Sequence, residues 1–305
     1  MLRLNDLILL LVLFSSMALG IVFPQYTGIF RPYPLYLMMF LMFLSFIPIR
    51  PGDIFSTLRD SPGKIAILAA LKLLILPACI YALFRLIYPE YAAGALLLSG
   101  VSTGVVAPFI STLVGGNGAL VLLLVVISSL LVPLTLPAVV KVLLFQDISL
   151  PLGAMVRNLA IVIFIPILCV EIFKRLSPRL LQLIETKKYP LSLVCFASIN
   201  MGIFSGYSQF FRQRPQTILE ATFVAVVLAF LLGGAGILVM RGRPAADQIA
   251  SAISMANVNN VLIIVFASGF FGPLEPTLAA MYMIPFFGVI LPMRLYIRAK
   301  TASVG

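Results

Sequence analysis

Long apolar stretches, broken at intervals by a few polar or turn-forming residues, run through the whole chain. They lie at about residues 7–23, 33–49, 65–88, 91–114, 119–145, 152–173, 189–211, 216–240, 246–271 and 276–297. A membrane-spanning helix takes about 20 apolar residues, and each stretch is near that length. None shows the polar–apolar alternation that barrel strands carry over segments of about ten residues. The pattern predicts an all-α membrane protein with ten transmembrane helices. The connections are short, so residues 1–305 read as a single transmembrane domain. Arg3 ahead of the first stretch looks like the start of a secretory signal, but Asp6 in the flank and the length of the stretch favour a retained span.

Ten spans divide into five and five, a first repeat of about 1–147 and a second of about 148–305. With an odd number in each half, the second half enters the membrane from the opposite side, which is how an inverted repeat arises. The fourth and ninth stretches share an irregularity. The fourth carries Gly100, Gly104 and Pro108, with Ser99, Ser102 and Thr103 among them. Pro108 removes a backbone donor and crowds the preceding turn. The ninth places Asn257, Asn259 and Asn260 in four residues at mid-membrane depth, and Asn competes for backbone partners inside helices. Freed backbone groups are tolerated at that depth only within protein or along a watery cavity. Two interrupted helices at matching repeat positions point to a transporter binding site. Half-helix N-termini offer free N–H groups and a positive dipole end to an anion. The alternative is a simple kink at Pro108 and Asn side chains that bond between helices.

Composition sharpens this picture. Hydrophobic residues make up 62% and charged residues 10%, against about 45–50% and 25% in soluble domains. Mean hydropathy is +1.14. A cytosolic enzyme is excluded. His is absent and only Cys79, Cys169 and Cys195 are present, each in an apolar run, so they read as small buried residues rather than a disulfide or metal set. Neither a metal nor another cofactor is expected, and the hydrolase, kinase and phosphate-loop motifs are missing. The net charge of +11 is read as topology rather than nucleic-acid binding. With a cytoplasmic N-terminus, 14 of the 21 cations fall on inside segments: Arg3, Arg50, Arg59, Lys64, Lys174, Arg175, Arg179, Lys187, Lys188, Arg241, Arg243, Arg294, Arg298 and Lys300. Six fall outside: Arg31, Arg85, Lys141, Arg157, Arg212 and Arg214. The bias puts both ends in the cytoplasm of a protein of the cell (inner) membrane. Tyr26, Tyr33, Tyr88, Tyr91, Tyr189 and Tyr296 take the interfacial aromatic role near span ends.

The remaining cation, Lys72, lies within the third span, eight residues beyond Lys64, or about 12 Å along a helix. An ionisable group at that depth is a functional candidate, with a snorkelling side chain as the alternative. Glu171 and Glu220 lie nearer span ends and read as interfacial. Gly233-Gly-Ala-Gly236 reads as a close helix-packing surface. The basic stretch from Lys174 to Lys188 reads as the topology anchor, with anionic lipid headgroups as a further contact.

The order of these features resembles the bile acid:sodium symporter family and its wider superfamily of ten-span bacterial carriers. Met38-Met39-Phe40 leading to Pro51-Gly-Asp53-Ile-Phe is similar to the family's second span and following loop. Ile75-Leu-Pro77 with Tyr81-Ala-Leu is similar to its third span. Gly116-Asn117-Gly-Ala119-Leu, then Ser128-Ser129-Leu and Pro133, is similar to its fifth. The second half matches through Asn259, Leu262, Ala267 and Phe271. The resemblance implies panel and core domains, crossed discontinuous helices 4 and 9 at the substrate site, and alternating-access transport of organic anions.

The family's fourth-span motif, Gly-Gly-Thr-Ala-Ser-Asn, stands where this chain has Thr103-Gly-Val-Val-Ala-Pro108. Its sodium-binding Ser and Asn fall on Ala107 and Pro108. Its fifth-span hydroxyl ligands fall on Val121 and Val125, and its ninth-span Glu and Gln on Ser254 and Val258. Asn259 survives, and the third-span Gln falls on Lys72. Sodium needs several oxygen ligands, so both sodium sites are expected to be lost. The Lys72 ammonium is the expected substitute. Desolvation disfavours a charged amine, so such a lysine could load and release a proton. The expectation is a sodium-independent carrier of a small organic acid, coupled to protons or to no ion. Ser102, Thr103, Gly104, Asn257, Asn259 and Asn260 are the expected cavity-lining groups, Lys72 the ion-site substitute, and Gly104 with Pro108 the helix break. The alternatives are a sodium-coupled symporter using backbone and Asn oxygens, a passive channel, and a membrane sensor that does not transport.

Overall fold

The computed structural model describes residues 4–49, 62–144 and 151–302. Arg3, Arg50, Arg59 and the Pro51–Asp53 stretch lie outside the described residues. Each of the ten apolar stretches is helix. The first five are α1 (Leu4–Val22), α2 (Pro34–Phe46), α3 (Pro62–Ile87), the pair α4 (Ala92–Gly100) and α5 (Ala107–Leu113), and α6 (Gly118–Leu144). Then follow α7 (Leu152–Leu176), a short connecting helix α8 (Pro178–Thr186), α9 (Lys188–Gly206) and α10 (Thr217–Val239). The ninth stretch is the pair α11 (Ala245–Ala256) and α12 (Asn260–Phe270). The tenth is three abutting pieces, α13 (Leu274–Met281), α14 (Met283–Gly288) and α15 (Ile290–Ala302). In lipid a helix satisfies its own backbone donors and acceptors, so an apolar run folds this way whatever its side chains.

By length and composition six helices among the described residues can cross a membrane, and seven if the pair Leu7–Val22 and Pro24–Phe30, bent by 104°, counts as one. The count falls below ten because α2 and α12 are short and the fourth and ninth stretches are split. The chain is an all-helical, multi-pass membrane protein. Among the described residues the sole β-type pairing is an isolated antiparallel bridge between Thr103 and Val258.

The helices sort into two groups. In the first, α1 packs on α9, and α2 on α7 and α9. In the second, α3 packs on α4, α10 on α11, α4 on α13, α11 on α6, α5 on α6 and α12 on α13. The groups meet where α12 touches α2, α7 and α9, where α7 touches α6, and where α1 touches α14. Numbered by apolar stretch, these contacts recur five stretches on: first with seventh matches sixth with second, third with fourth matches eighth with ninth, and fourth with tenth matches ninth with fifth.

Polar side chains tie the two ends of the bundle separately. At one end Lys64 Nζ pairs with Asp247 Oδ2 at 2.6 Å, and Asn117 Nδ2 donates to Asp247 Oδ1 at 3.0 Å. At that end too, Lys174 bonds Glu171 and the Ile49 carbonyl, both at 2.9 Å, and Tyr296 bonds Gln248. At the other, Arg214 pairs with Glu90 at 3.3 Å, Tyr91 donates to Glu220 at 3.4 Å, and Arg31 donates to Ser205 Oγ at 2.9 Å. Gly236 is a close-packing position, as expected: a Cβ there would lie 2.6 Å from Ala252 Cα, so only glycine lets α10 approach α11. The cysteines depart from expectation in part. All three are free and Cys195 is buried, but Cys169 is only partly buried and Cys79 is exposed on α3.

Candidate functional site

Both interrupted stretches break in the middle of the molecule, and the breaks bond to each other. α4 stops at Gly100, where Val101 turns extended (φ −75°, ψ 164°). α11 stops at Ala256, and Asn257 leaves the helix (φ −86°, ψ 80°). Residues released from the two helices cross as a miniature antiparallel pair. The Gly104 N–H donates to Asn257 O at 2.7 Å, and the Asn259 N–H to Ser102 O at 2.9 Å. A buried N–H or C=O without a partner is costly, and the two breaks supply each other's partners. Gly104 suits this close contact: a Cβ there would sit 3.0 Å from Val258 O and 3.2 Å from Asn257 O, tighter than most side chains are packed. Pro108 is not in the gap itself. It lies in the first turn of α5, where a missing N–H costs nothing.

Side chains brace the crossing. The Thr103 N–H donates to Ser128 Oγ on α6 at 3.0 Å, and Thr103 Oγ1 to Ser254 O at 2.9 Å. Asn257 Nδ2 donates to Phe286 O at 2.8 Å, and the Tyr282 hydroxyl to Ala256 O at 2.7 Å. Asn259 caps α12 by accepting from the Leu262 N–H at 3.3 Å. Ser102 Oγ, Asn257 Oδ1 and Asn260 Nδ2 are buried with no hydrogen-bond partner among the described residues.

Lys72 reaches the same place from α3. It is 1% exposed, and its ammonium donates to Met255 O at 3.1 Å. Met255 is in the last turn of α11, where unpaired carbonyls and the negative dipole end favour a cation. Among the described residues Lys72 has no carboxylate partner. It lies in a π-helical turn, Leu71–Ile75, in which the Leu76 N–H donates five residues back to Leu71 O. Pro77 follows. It has no N–H for the Leu73 carbonyl and its ring crowds that carbonyl, so the turn opens where such bulges mark functional positions.

A cavity of about 600 Å³ lies between the two helix groups. From the first group come Leu9, Met38, Met42 and Phe196. From the second come Gly104, Val105, Phe109, Asn259, Asn260 and Phe286. Glu185, Thr186, Lys188 and Tyr189 also line it, from α8 and the start of α9. Of the expected lining residues, Gly104, Asn259 and Asn260 face the cavity. Ser102, Thr103 and Asn257 are fully buried and are not among its lining residues. Lys72 is not in its wall either. The site thus has a cavity face and, behind the crossing, a packed face held by Thr103, Ser128, Asn257 and Tyr282.

A model of the family described as the Sodium Bile acid symporter family matches residues 35–214, more than half of the chain. The chain belongs to the sodium bile acid symporter family. No curated protein matches it. The family is one of transporters, of bile acid or organic anion type, and not of enzymes. The sodium bile acid symporter match contains Lys72, the first break and α6, and stops before the second break. The second break joins the site through its hydrogen bonds to the first. At the positions where the family resemblance puts sodium ligands, Val121 and Val125 are fully buried, and Ser254 Oγ is turned to the Ala250 carbonyl of its own helix at 2.7 Å.

Sequence reading named Ser128 only within the family resemblance, with no role at the crossing, and missed Tyr282 and Phe286. Ser128 and Tyr282 sit in apolar runs in which one hydroxyl gives no periodic signal, and Phe286 acts through its backbone carbonyl. It also missed the π-turn, whose sequence trace is Pro77 alone.

Proposed function

We propose that this protein is a secondary carrier of small organic anions that works by alternating access, with ten spans in two inverted five-helix repeats. The observation that carries the reading is the cavity between two helix groups, ending at two crossed helix breaks. Recurrence of helix contacts five stretches on supports the repeat. The polar pairs support the threading: Lys64 with Asp247 and Arg214 with Glu90 each join residues that an up-and-down path puts at the same face. Asn260 Nδ2 and the N-terminal end of α12 are the groups that would receive a carboxylate, and the apolar wall would take the body of the acid. The cavity reaches Glu185 and Lys188, on the connection richest in cations, so this conformation is open to the cytoplasm in the proposed orientation.

Lys72 is proposed to hold the place of a bound sodium ion. Its ammonium is a tethered cation at the C-terminal end of α11, in a position where the family resemblance puts a neutral ligand. Coupling would then be to protons or to no ion. A second reading, sodium coupling at altered positions, has its own support: Ser102 Oγ and Asn257 Oδ1 are buried oxygens without partners among the described residues.

Purified protein would first be screened for organic acids that raise its melting temperature, with sodium or potassium as the salt. Uptake of the most stabilising acid into proteoliposomes then decides. Equal uptake in both salts, lost in Lys72→Ala, supports the substitute-cation reading. A strict sodium requirement with Lys72→Ala fully active would sink it.

A further inference from the structure

The cavity mouth carries a helix that no transport step uses. α8 is nine residues long and packs on both α7 and α9, which places it with the first helix group. At about 100° per residue, Leu183, Leu180, Ile184 and Leu181 form one apolar arc of roughly 160°. Protein covers only part of that arc. Leu181 is 6% exposed and Ile184 is partly buried, whereas Leu183 is 60% and Leu180 45% exposed, with Leu176 alongside at 78%. Glu185 and Thr186, on the opposite arc, line the cavity mouth. Arg179 borders the uncovered leucines, and Arg175 and Lys187 flank the helix. All three cations are exposed, with no hydrogen-bond or ion-pair partner among the described residues. Lys174, by contrast, is occupied by Glu171 and the Ile49 carbonyl.

A short helix with uncovered leucines on one side and unpaired cations beside them matches the chemistry of a bilayer interface, apolar below and anionic above. We propose that α8 is an interfacial helix that binds anionic phospholipid headgroups through Arg175, Arg179 and Lys187, with Leu180 and Leu183 inserted beneath them. This rests on the reading that the bundle is embedded with the α8 end at a membrane face. It goes further by giving that face a lipid partner beside the cavity mouth. The bound lipid fixes the first helix group to one leaflet.

The sequence contains no Trp, so a single introduced Trp is a unique fluorophore. Leu183→Trp would be reconstituted in phosphatidylcholine–phosphatidylglycerol vesicles in which one or the other lipid is brominated at equal mole fraction. Both lipids are expected to quench the emission, brominated phosphatidylglycerol about twofold more. Arg175→Gln with Arg179→Gln and Lys187→Gln should remove that excess and leave the quenching itself. Equal quenching by the two lipids before those substitutions, or no quenching, overturns the proposal. Leu180→Trp gives the same test if Leu183→Trp does not fold. Leu134→Trp, on the exposed face of α6 (64% exposed), separates the two failures. If it is quenched and Leu183→Trp is not, only the lipid site is lost. If neither is quenched, the embedded reading falls as well.

Discussion

Lys72 and Gly104 show what a single residue decides at mid-depth. A charge has no cheap place in hydrocarbon, and Lys72 is tolerated because the end of α11 presents it a carbonyl. Its depth was legible from its distance to Lys64. Its partner was not, because Met255 is 183 residues away and acts through its backbone, which carries no sequence signature. Gly104 is set by contact with two carbonyls across the crossing. Gly104→Ala should lower stability by about 1–3 kcal/mol, the cost of overpacking a close contact, read as a fall in melting temperature of the detergent-solubilised protein. An unchanged melting temperature would mean that the crossing has room for a methyl group. Ser102, Thr103 and Asn257 were legible as polar residues at the breaks. Which of them turn toward the cavity and which pack behind it depends on backbone dihedrals that side-chain identity does not specify.

Elements here are shaped by where helices stop. α4 and α11 end in mid-molecule, and α5 and α12 restart beyond; the Gly- and Asn-rich sequence pointed to both interruptions. It misplaced Pro108, which starts α5 rather than breaking the stretch, since proline suits a first turn as well as a kink. The π-turn in α3 is the element that presents Lys72. An extra residue in one turn rotates the part of the helix beyond it, where Pro77 packs at the site of Gly100, relative to the part that carries Lys64. Pro77→Ala restores a donor for an ordinary α-helical bond and should relax the turn. Uptake should fall several-fold, and the losses of melting temperature in Lys72→Ala and Pro77→Ala should overlap in the double variant rather than add. Losses that add would show that Pro77 acts independently of Lys72.

For the whole molecule, an opening at one end predicts unequal access. In a variant without its own cysteines, Ser192→Cys in the cavity wall should react with a membrane-impermeant thiol reagent applied from the α8 side. Ser268→Cys, whose backbone carbonyl accepts the Tyr207 hydroxyl at 3.5 Å, lies where α12 closes on the first helix group and should react slowly from either side. A substrate that drives the transporter to its opposite state should lower the first rate and raise the second. Fast labelling of both positions in the absence of substrate would indicate a continuous channel.

By itself the sequence determined a helical membrane protein, the ten apolar segments, the two interrupted ones, and the one cation at depth. Those features follow from local physics: apolar length selects a helix in lipid, and Gly, Pro and Asn weaken it where they stand. Only the tertiary structure decided that the breaks bond each other, that Gly104, Asn259 and Asn260 face the cavity while Ser102, Thr103 and Asn257 do not, and that Met255 receives Lys72. Each of these joins segments far apart in the chain, often through backbone atoms that are the same in every residue. Hydrophobic pattern fixes where helices form, and packing fixes which backbone groups are left for one another.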